Sequence, residues 1–538
     1  MLGNRLPTNL TRTAFVRALA RRSSSIDEVQ RELLKGTLIA SSLTTLLKRT
    51  CMTKPGVAVA SRRGENLSKL NWYMRACALF LLWATTTVSL PAQTFKTVHS
   101  FASRDGAFPW ASLVQATDGN FYGTTQIGGN AACPSGCGTV FKVTPSGKLT
   151  IFSFDGTNGS TPFAGLVQGA DGDLYGATLG GGTGTNCPRG PCGTIFKITL
   201  SGILTTLYNF NFTDGAGPHG ALVLATDGNF YGMTSYGGPS NAGSIFKITP
   251  SGMLTTLHFF NFSPDGCCAK AGLVQGADGN FYGTAWSGGV NNYGTVFTIT
   301  PNGTFTVLHA FDNMDGSLPF AGLIQGANGD FYGTTEEGGA YAYGTVFEIT
   351  STGSLTTLHS FDVTDGDTPI SPLVQANDGN YYGTTSYDGT HPNFGTVYKI
   401  TPSGKLTTLY NFDSKDGSYP YAGLVQATNG AFYGATFAGG SSKACPYGCG
   451  TVFSLSVGLR PFIETVPTSG KAGAIITILG TNLTGATSVS FHGTAAEFMV
   501  ISQSEIRTNV PSGATSGTVE VTTPEETFKS NVVFPVTD

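Results

Sequence analysis

The stretch LVQATDGNFYGTTQIGGNAACPSGCGTVFKVTPSGKLTIFSF, residues 113–154, decides the fold. It holds four short runs rich in Val, Ile, Thr, Phe and Tyr, the residues strands prefer. LVQA (113–116) and NFYGTT (120–125) are joined by Asp118-Gly119, whose pairing predicts the positive φ angles of a tight hairpin. GTVFKVT (138–144) then turns through TPSG (144–147) into a fourth run, seen again as LTTLHSF at Leu355–Phe361.

The unit recurs. DGNFYG stands at Asp118–Gly123, Asp227–Gly232 and Asp278–Gly283, with variants at Asp171–Gly176, Asn328–Gly333, Asp378–Gly383 and Asn429–Gly434. These seven copies lie 50 to 56 residues apart, a period that signifies a propeller or a solenoid. Closure decides between them. The seventh third strand, Gly450–Ser456, has no fourth strand behind it, and a spare fourth strand, Thr94–Phe101 (TFKTVHSF), precedes the first hairpin. Pairing the two orphans closes a ring and removes two exposed sheet edges. The expectation is an all-β chain: a seven-bladed β-propeller over 93–457, four antiparallel strands to a blade.

The repeat set GLVQA…DGNFYGTT…GG…GTVFKITPSG resembles the GloVer tandem-repeat family (choice-of-anchor type) of exported bacterial proteins. The resemblance implies an extracytoplasmic repeat protein and carries no activity with it. Residues 459–538 change character, with short alternating strands between Gly, Ser and Asn turns. Pro467…Gly470, ITILGTNL (Ile476–Leu483), VSFHG (Val489–Gly493) and VPSGATSGTVEV (Val510–Val521) closely resemble the IPT/TIG family. That resemblance implies an Ig-like β-sandwich used as a spacer or binding module. The short linker Val457-Gly458-Leu459 predicts a fixed orientation against blade seven.

Charge narrows the partners. Residues 1–75 hold 14 Lys/Arg against 4 Asp/Glu, and the remainder carries a net charge of −13. An acidic body repels phosphate backbones, so no nucleic-acid partner is expected. Met74-Arg75, the apolar run ACALFLLWATTTVSL and Pro91-Ala92-Gln93 read as a signal peptide over 74–92, too short for a comfortable membrane span. An uncleaved anchor is the alternative. Residues 1–73 read as an unstructured or misassigned extension. The expected product is a secreted, periplasmic or cell-surface monomer with no membrane insertion beyond that segment.

Strand parity assigns the ligand face. The first-to-second and third-to-fourth turns emerge on one face and repeat almost unchanged. The second-to-third loops and blade connections emerge on the other face and vary, which is where binding residues usually lie. Trp110, Tyr236, Trp286, Tyr341, Tyr343, His391, Tyr419 and Tyr421 fall there, as rings for a carbohydrate or protein ligand or as packing between blades. Cys133/Cys137, Cys187/Cys192 and Cys445/Cys449 each precede a third strand and suit disulfides in an exported protein. Zinc is the rival reading of these pairs. Cys267-Cys268 reads as a vicinal disulfide or as free thiols.

Other residues read as structure. His99, His258, His309 and His359 share a repeat position with Phe152, Tyr208 and Tyr410, which marks a packed aromatic site. Gln115, Gln168, Gln275, Gln325, Gln375 and Gln426, with Leu224 in the remaining copy, suit hydrogen bonds between blades. The Asp-Gly pairs at Asp105, Asp214, Asp265, Asp315, Asp365 and Asp416 read as turns rather than calcium ligands. No catalytic constellation, metal site or cofactor motif emerges. The expected function is a binding and interaction module. A secreted propeller enzyme, lyase or glycosidase, is the alternative, with His219, Glu336, Glu337 and His391 as its thin candidates.

Overall fold

Each FYG motif forms the second strand of a sheet because its three residues do different work. In blade 1 of the computed structural model, Val114–Gln115, Phe121–Ile127, Thr139–Val143 and Leu149–Ser153 pair antiparallel in that order. Residues 93–537 are described, except 130, 131, 185, 189–191 and 390–393. The proposed targeting segment, the stretch upstream of it and His391 lie outside the described residues. A Cβ on Gly123 would stand 2.6 Å from the Phe141 ring and 2.8 Å from Leu113, so only glycine lets these side chains meet over the strand. Phe121 and Tyr122 point to opposite faces and are both buried.

The pattern repeats through seven such sheets, and each seam is built alike. The Tyr of one blade stacks on the Phe or Tyr of the next: Tyr175 on Phe230 at 4.1 Å, Tyr282 on Phe331 at 3.9 Å, Tyr332 on Tyr381 at 4.2 Å. The last seam is the same, with Tyr433 on Phe121 at 3.9 Å. Between blades 1 and 2 the pair is Tyr122 with Leu174, in one apolar cluster. Such ring pairs contribute about 0.5–1.5 kcal/mol beyond the area they bury.

Closure follows the predicted offset. Thr94–Ser100 pairs antiparallel with Thr451–Ser456, Thr94 opposite Ser456 and Ser100 opposite Thr451. The Phe101 N–H donates to the Gly450 carbonyl at 3.0 Å, so the contact runs one residue past each strand end. Phe95 seals the seam, stacked 3.9 Å from Tyr410. The chain is therefore all-β, a propeller ring whose N-terminal strand completes its C-terminal blade.

One turn differs from the sequence reading. At Thr117-Asp118-Gly119 only Gly119 has positive φ, at 77°, and Gly119 N–H donates to Ala116 O while Ala116 N–H donates to Asn120 O. This is a three-residue loop ending in a left-handed glycine, not a two-residue hairpin, which would need two positive φ angles. TPSG uses the same design, with Gly147 N–H on Thr144 O and Thr144 N–H on Lys148 O.

The C-terminal domain is a sandwich of two four-stranded sheets, 464–466/475–479/505–509/498–500 and 494–496/488–491/519–522/527–529. Ile476, Ile478, Val489, Phe491, Ile506, Val519 and Val521 fill its core. It docks on the repeated-turn face of the ring. Phe462 N–H donates to Thr428 O at 2.9 Å, Thr428 and Thr481 hydroxyls meet at 2.8 Å, and Ser504 Oγ reaches Thr117 O at 3.3 Å. Asn377 Nδ2 donates to Arg460 O at 2.7 Å, so turns of blades 6, 7 and 1 all touch the sandwich or its linker.

Candidate functional site

Two sets of hydrogen bonds hold the ring, one on each face, and they define what is left for a site. On the turn face, Gln168 Oε1 accepts from Thr117 N of the preceding blade at 3.1 Å and Gln168 Nε2 donates to its own Gly172 O at 2.9 Å. Gln275, Gln325, Gln375 and Gln426 repeat the inter-blade bond, and Gln115 closes the circle by accepting from Thr428 N at 2.9 Å. The glutamines are clasps, as their sequence position implies; Leu224 leaves the seam between blades 2 and 3 without one.

On the loop face, one residue per blade connection donates its N–H to the carbonyl just before the neighbouring third strand. Phe108 donates to Cys449 O, Thr161 to Cys137 O, Gly217 to Cys192 O, Leu318 to Tyr293 O and Tyr419 to Phe394 O. These donors sit at positive φ, 62° for Phe108 and 55° for Tyr419, although most are not glycine. The strain belongs to ring closure, since it recurs at every blade. It also explains the cysteines. Cys133–Cys137, Cys187–Cys192 and Cys445–Cys449 are disulfides with Cα atoms 5.2, 5.5 and 5.2 Å apart, and each staples the loop that carries a clasp carbonyl. Cys267 and Cys268 are free thiols, with Cys268 itself at a clasp position and donating to Ala242 O.

The Asp-Gly pairs do more than turn the chain. His99, His258, His309 and His359 each place Nε2 against the Asp of the following pair, at 3.3, 3.1, 2.7 and 2.8 Å. Tyr208 donates its hydroxyl to Asp214 at 2.5 Å and Tyr410 to Asp416. The blade with Phe152, which has no donor, carries Asn158 in place of Asp, and Asn158 Oδ1 instead accepts from Asp155 N at 2.9 Å. Ring and acid change together. The histidines thus serve as a polar lock between the outer strand and the following turn.

Beyond the clasps, one repeat position supplies the mouth of the ring on the loop face. It follows the clasp residue by two and reads Trp110, Phe163, His219, Lys270, Phe320, Ile370 and Tyr421. The rings converge across blades. Trp110 lies 5.1 Å from Phe163, 4.4 Å from Tyr421, 6.3 Å from Phe320 and 6.4 Å from His219. Phe437, from the end of a second strand, joins them 5.5 Å from Trp110 and 5.1 Å from Tyr421. His219 is 7% exposed, stacked 4.8 Å from Phe163, with Nδ1 3.0 Å from Lys270 O. Burial, reinforced by the Lys270 charge, pushes its pKa down to about 3, so the imidazole is neutral at ordinary pH.

Blades 4 to 6 give the mouth its charge. The Trp286 indole N–H donates to Glu336 Oε2 at 2.9 Å, and Lys270 Nζ sits 5.7 Å from the Trp286 ring centroid. Burial raises the Glu336 pKa, and Glu337 and Asp367 add to it while Trp286 and Lys270 oppose it. Burial likewise raises Asp367, with Asp388 and Glu337 adding repulsion. Burial lowers the Lys270 pKa. The Tyr387 and Tyr421 hydroxyls meet at 3.1 Å, and Tyr419 packs 5.2 Å from Tyr387.

Of the aromatics picked from the sequence, the structure brings Trp110, Trp286, Tyr419 and Tyr421 to this mouth. It does not bring Tyr236, Tyr341 or Tyr343 there. The Tyr236 ring occupies the space beside Gly217, Tyr343 packs among blade-seam residues, and Tyr341 stands 60% exposed on an outer loop. Phe163, Phe320, Phe437, Tyr387 and Lys270 were missed. For Phe163, Phe320 and Lys270 the signal was the variable second position of a five-residue run ending in Leu, Pro-x-Ala-Gly-Leu at Pro162–Leu166 and Pro319–Leu323; Tyr387 and Phe437 follow second strands and had no such signal. Among the described residues no group of His, Cys, Asp and Glu is arranged to hold a metal ion.

A search of the curated proteins found no match. A solved protein from Bacteroides uniformis, named as a candidate 6-phosphogluconolactonase, is 19% identical with a TM-score of 0.40, over 56% of this chain and 84% of its own. A gluconolactonase from Xanthomonas campestris is 12% identical with a TM-score of 0.35, over 65% of this chain and 98% of its own. A protein of unknown function from Dyadobacter fermentans is 12% identical with a TM-score of 0.39, over 68% of this chain and 98% of its own. Likeness this distant carries no argument about ligand or reaction. The family models are direct: the Gloeobacter/Verrucomicrobia repeat matches residues 85–188, 189–328 and 319–495, and the IPT/TIG domain matches residues 461–535. The chain therefore belongs to the Gloeobacter/Verrucomicrobia repeat family, and it carries an IPT/TIG domain behind its repeats.

Proposed function

We propose that this chain is an extracytoplasmic interaction module that binds a carbohydrate or a protein on the loop face of its ring. One observation carries the reading. Around the mouth, a single repeat position presents six kinds of side chain in seven blades, from Trp110 to Tyr421, with Phe alone used twice, while the backbone clasp two residues before it recurs from blade to blade. A scaffold position released from uniformity is where recognition can be written. The IPT/TIG sandwich covers turns of the opposite face, which leaves the loop face to the ligand. The disulfides are compatible with an extracytoplasmic site, and no helix among the described residues is long and apolar enough to cross a membrane.

A glycan array probed with the full chain tests this. Saccharide hits that weaken in Glu337→Gln, a substitution at an exposed mouth residue, are the expected result. No hit, together with turnover of a polysaccharide, would favour the second reading, a propeller lyase or glycosidase. That reading has one support: Glu336 is a half-buried carboxyl that accepts from the Trp286 indole and whose pKa desolvation raises, as a general acid requires.

A further inference from the structure

We infer that the mouth takes an amine-bearing saccharide, its ammonium group set against Glu336, Glu337 and Asp367 and its sugar ring over Trp110 and Tyr421. The inference rests on the loop-face reading and names the ligand class for that site. Three independent observations lead to it.

The carboxylates come from neighbouring blades, 5 and 6, and repel one another. Asp367 and Glu337 act on Glu336, and Glu337 and Asp388 act on Asp367, with Lys270 the cation that faces Glu336. A site that gathers like charges without an equal number of counter-charges is stabilised by a cation from outside.

Ser386 supplies the second observation. It is fully buried, and its hydroxyl has no hydrogen-bond partner. Its repeat position is that of Glu336 in blade 5 and Phe437 in blade 7, whose side chains reach Trp286 and Trp110. A buried hydroxyl left unpaired costs about 1–3 kcal/mol. Its counterpart in blade 3, Ser235, spends the same hydroxyl on Ala269 O at 2.7 Å. Among the described residues nothing pairs with the Ser386 hydroxyl, and its oxygen is free to accept from a donor outside the chain.

The third observation is internal precedent. The mouth already seats one ammonium, Lys270 over the Trp286 ring, beside a carboxylate that holds the indole N–H. The Trp110–Tyr421 pair offers a second aromatic surface, and Glu336, whose charge acts on Tyr421, supplies the acid beside it. An amino sugar satisfies both halves at once, because its C–H face lies on a ring and its ammonium reaches the acids.

Calorimetric titration of the full chain with a glucosamine tetramer, its N-acetylated counterpart and tetralysine decides the matter. The glucosamine tetramer should bind about tenfold tighter than the N-acetylated form. Glu337→Gln and Asp367→Asn should each remove most of that preference, with unfolding of Glu337→Gln unchanged, so a loss cannot be laid to misfolding. Equal affinity for the two saccharides overturns the ammonium inference and leaves the loop-face reading standing. Binding of tetralysine alone overturns the saccharide. Amine preference that survives both substitutions places the group elsewhere and overturns the inference as well. If no saccharide binds here and the glycan array is blank, the carbohydrate reading of the loop face falls too.

Discussion

The two faces of the ring are built from the same seven repeats and teach opposite lessons. On the turn face every blade does the same thing. A left-handed glycine ends each hairpin, a glutamine clasps the neighbouring turn in every blade but the one with Leu224, and the acid of the turn can change together with its partner. Asp118 pairs with Lys142 at 2.6 Å, whereas blade 5 places Asn328 against Glu348 at 3.1 Å. On the loop face the backbone clasp is equally regular, yet the side chain two residues later is of six kinds in seven blades, with only Phe163 and Phe320 alike. Uniformity marks what the ring needs in order to close, and divergence marks what it does not need.

That contrast makes predictions of falling size. Phe121→Ala removes the stack that closes the circle and should cost about 3–5 kcal/mol, read by denaturant unfolding, whereas Phe320→Ala at the mouth should cost clearly less. Equal losses would erase the distinction between seam and mouth. Gln168→Leu strands the buried Thr117 N–H and should cost about 1–3 kcal/mol. Leu224→Gln, which installs the missing clasp, should gain up to about 1 kcal/mol on the same measurement. Cys133→Ser with Cys137→Ser opens a five-residue loop and should cost no more than about 2 kcal/mol, since so short a loop restricts the unfolded chain little.

A pH test concerns the sandwich that caps the turn face. Burial raises Glu464 to about 7, above its unfolded value. The native state then holds a proton that the unfolded state has released. Stability should therefore fall as pH rises from the ordinary glutamate range through about 7, and Glu464→Gln should flatten that slope in thermal melts. A slope unchanged in the variant would move the effect elsewhere. Tyr341→Ala, on an exposed outer loop, should change stability by less than about 0.5 kcal/mol. A larger loss would show that the loop packs.

The sequence displayed the ring far better than the mouth, for a physical reason. Strand alternation in NFYG and GTVF, and the orphaned Thr94–Phe101, are local or periodic signals, so the blades and their closure were readable. The turn was read one residue short because Asp-Gly serves both hairpin types, and the choice is made by the register of Gln115 opposite Phe121. Trp110, Phe163, His219 and Lys270 differ in size, polarity and charge, so no fixed motif groups them; only the closed circle carries residues fifty apart into contact. The exchange of Phe152 with Asn158 against His–Asp and Tyr–Asp pairs was visible in the letters, but it had no meaning until the side chains were seen to touch.

The offset closure has a temporal consequence. Thr94–Ser100 is synthesised before any complete blade, yet its partner Thr451–Ser456 comes last, so the first strand must wait through the whole repeat array. A chain broken off before Thr451 lacks Phe453 and leaves Phe95 uncovered and the opening strand without a mate. The molecule thereby checks its own completeness: the final repeat is the key that the first segment was cut to receive.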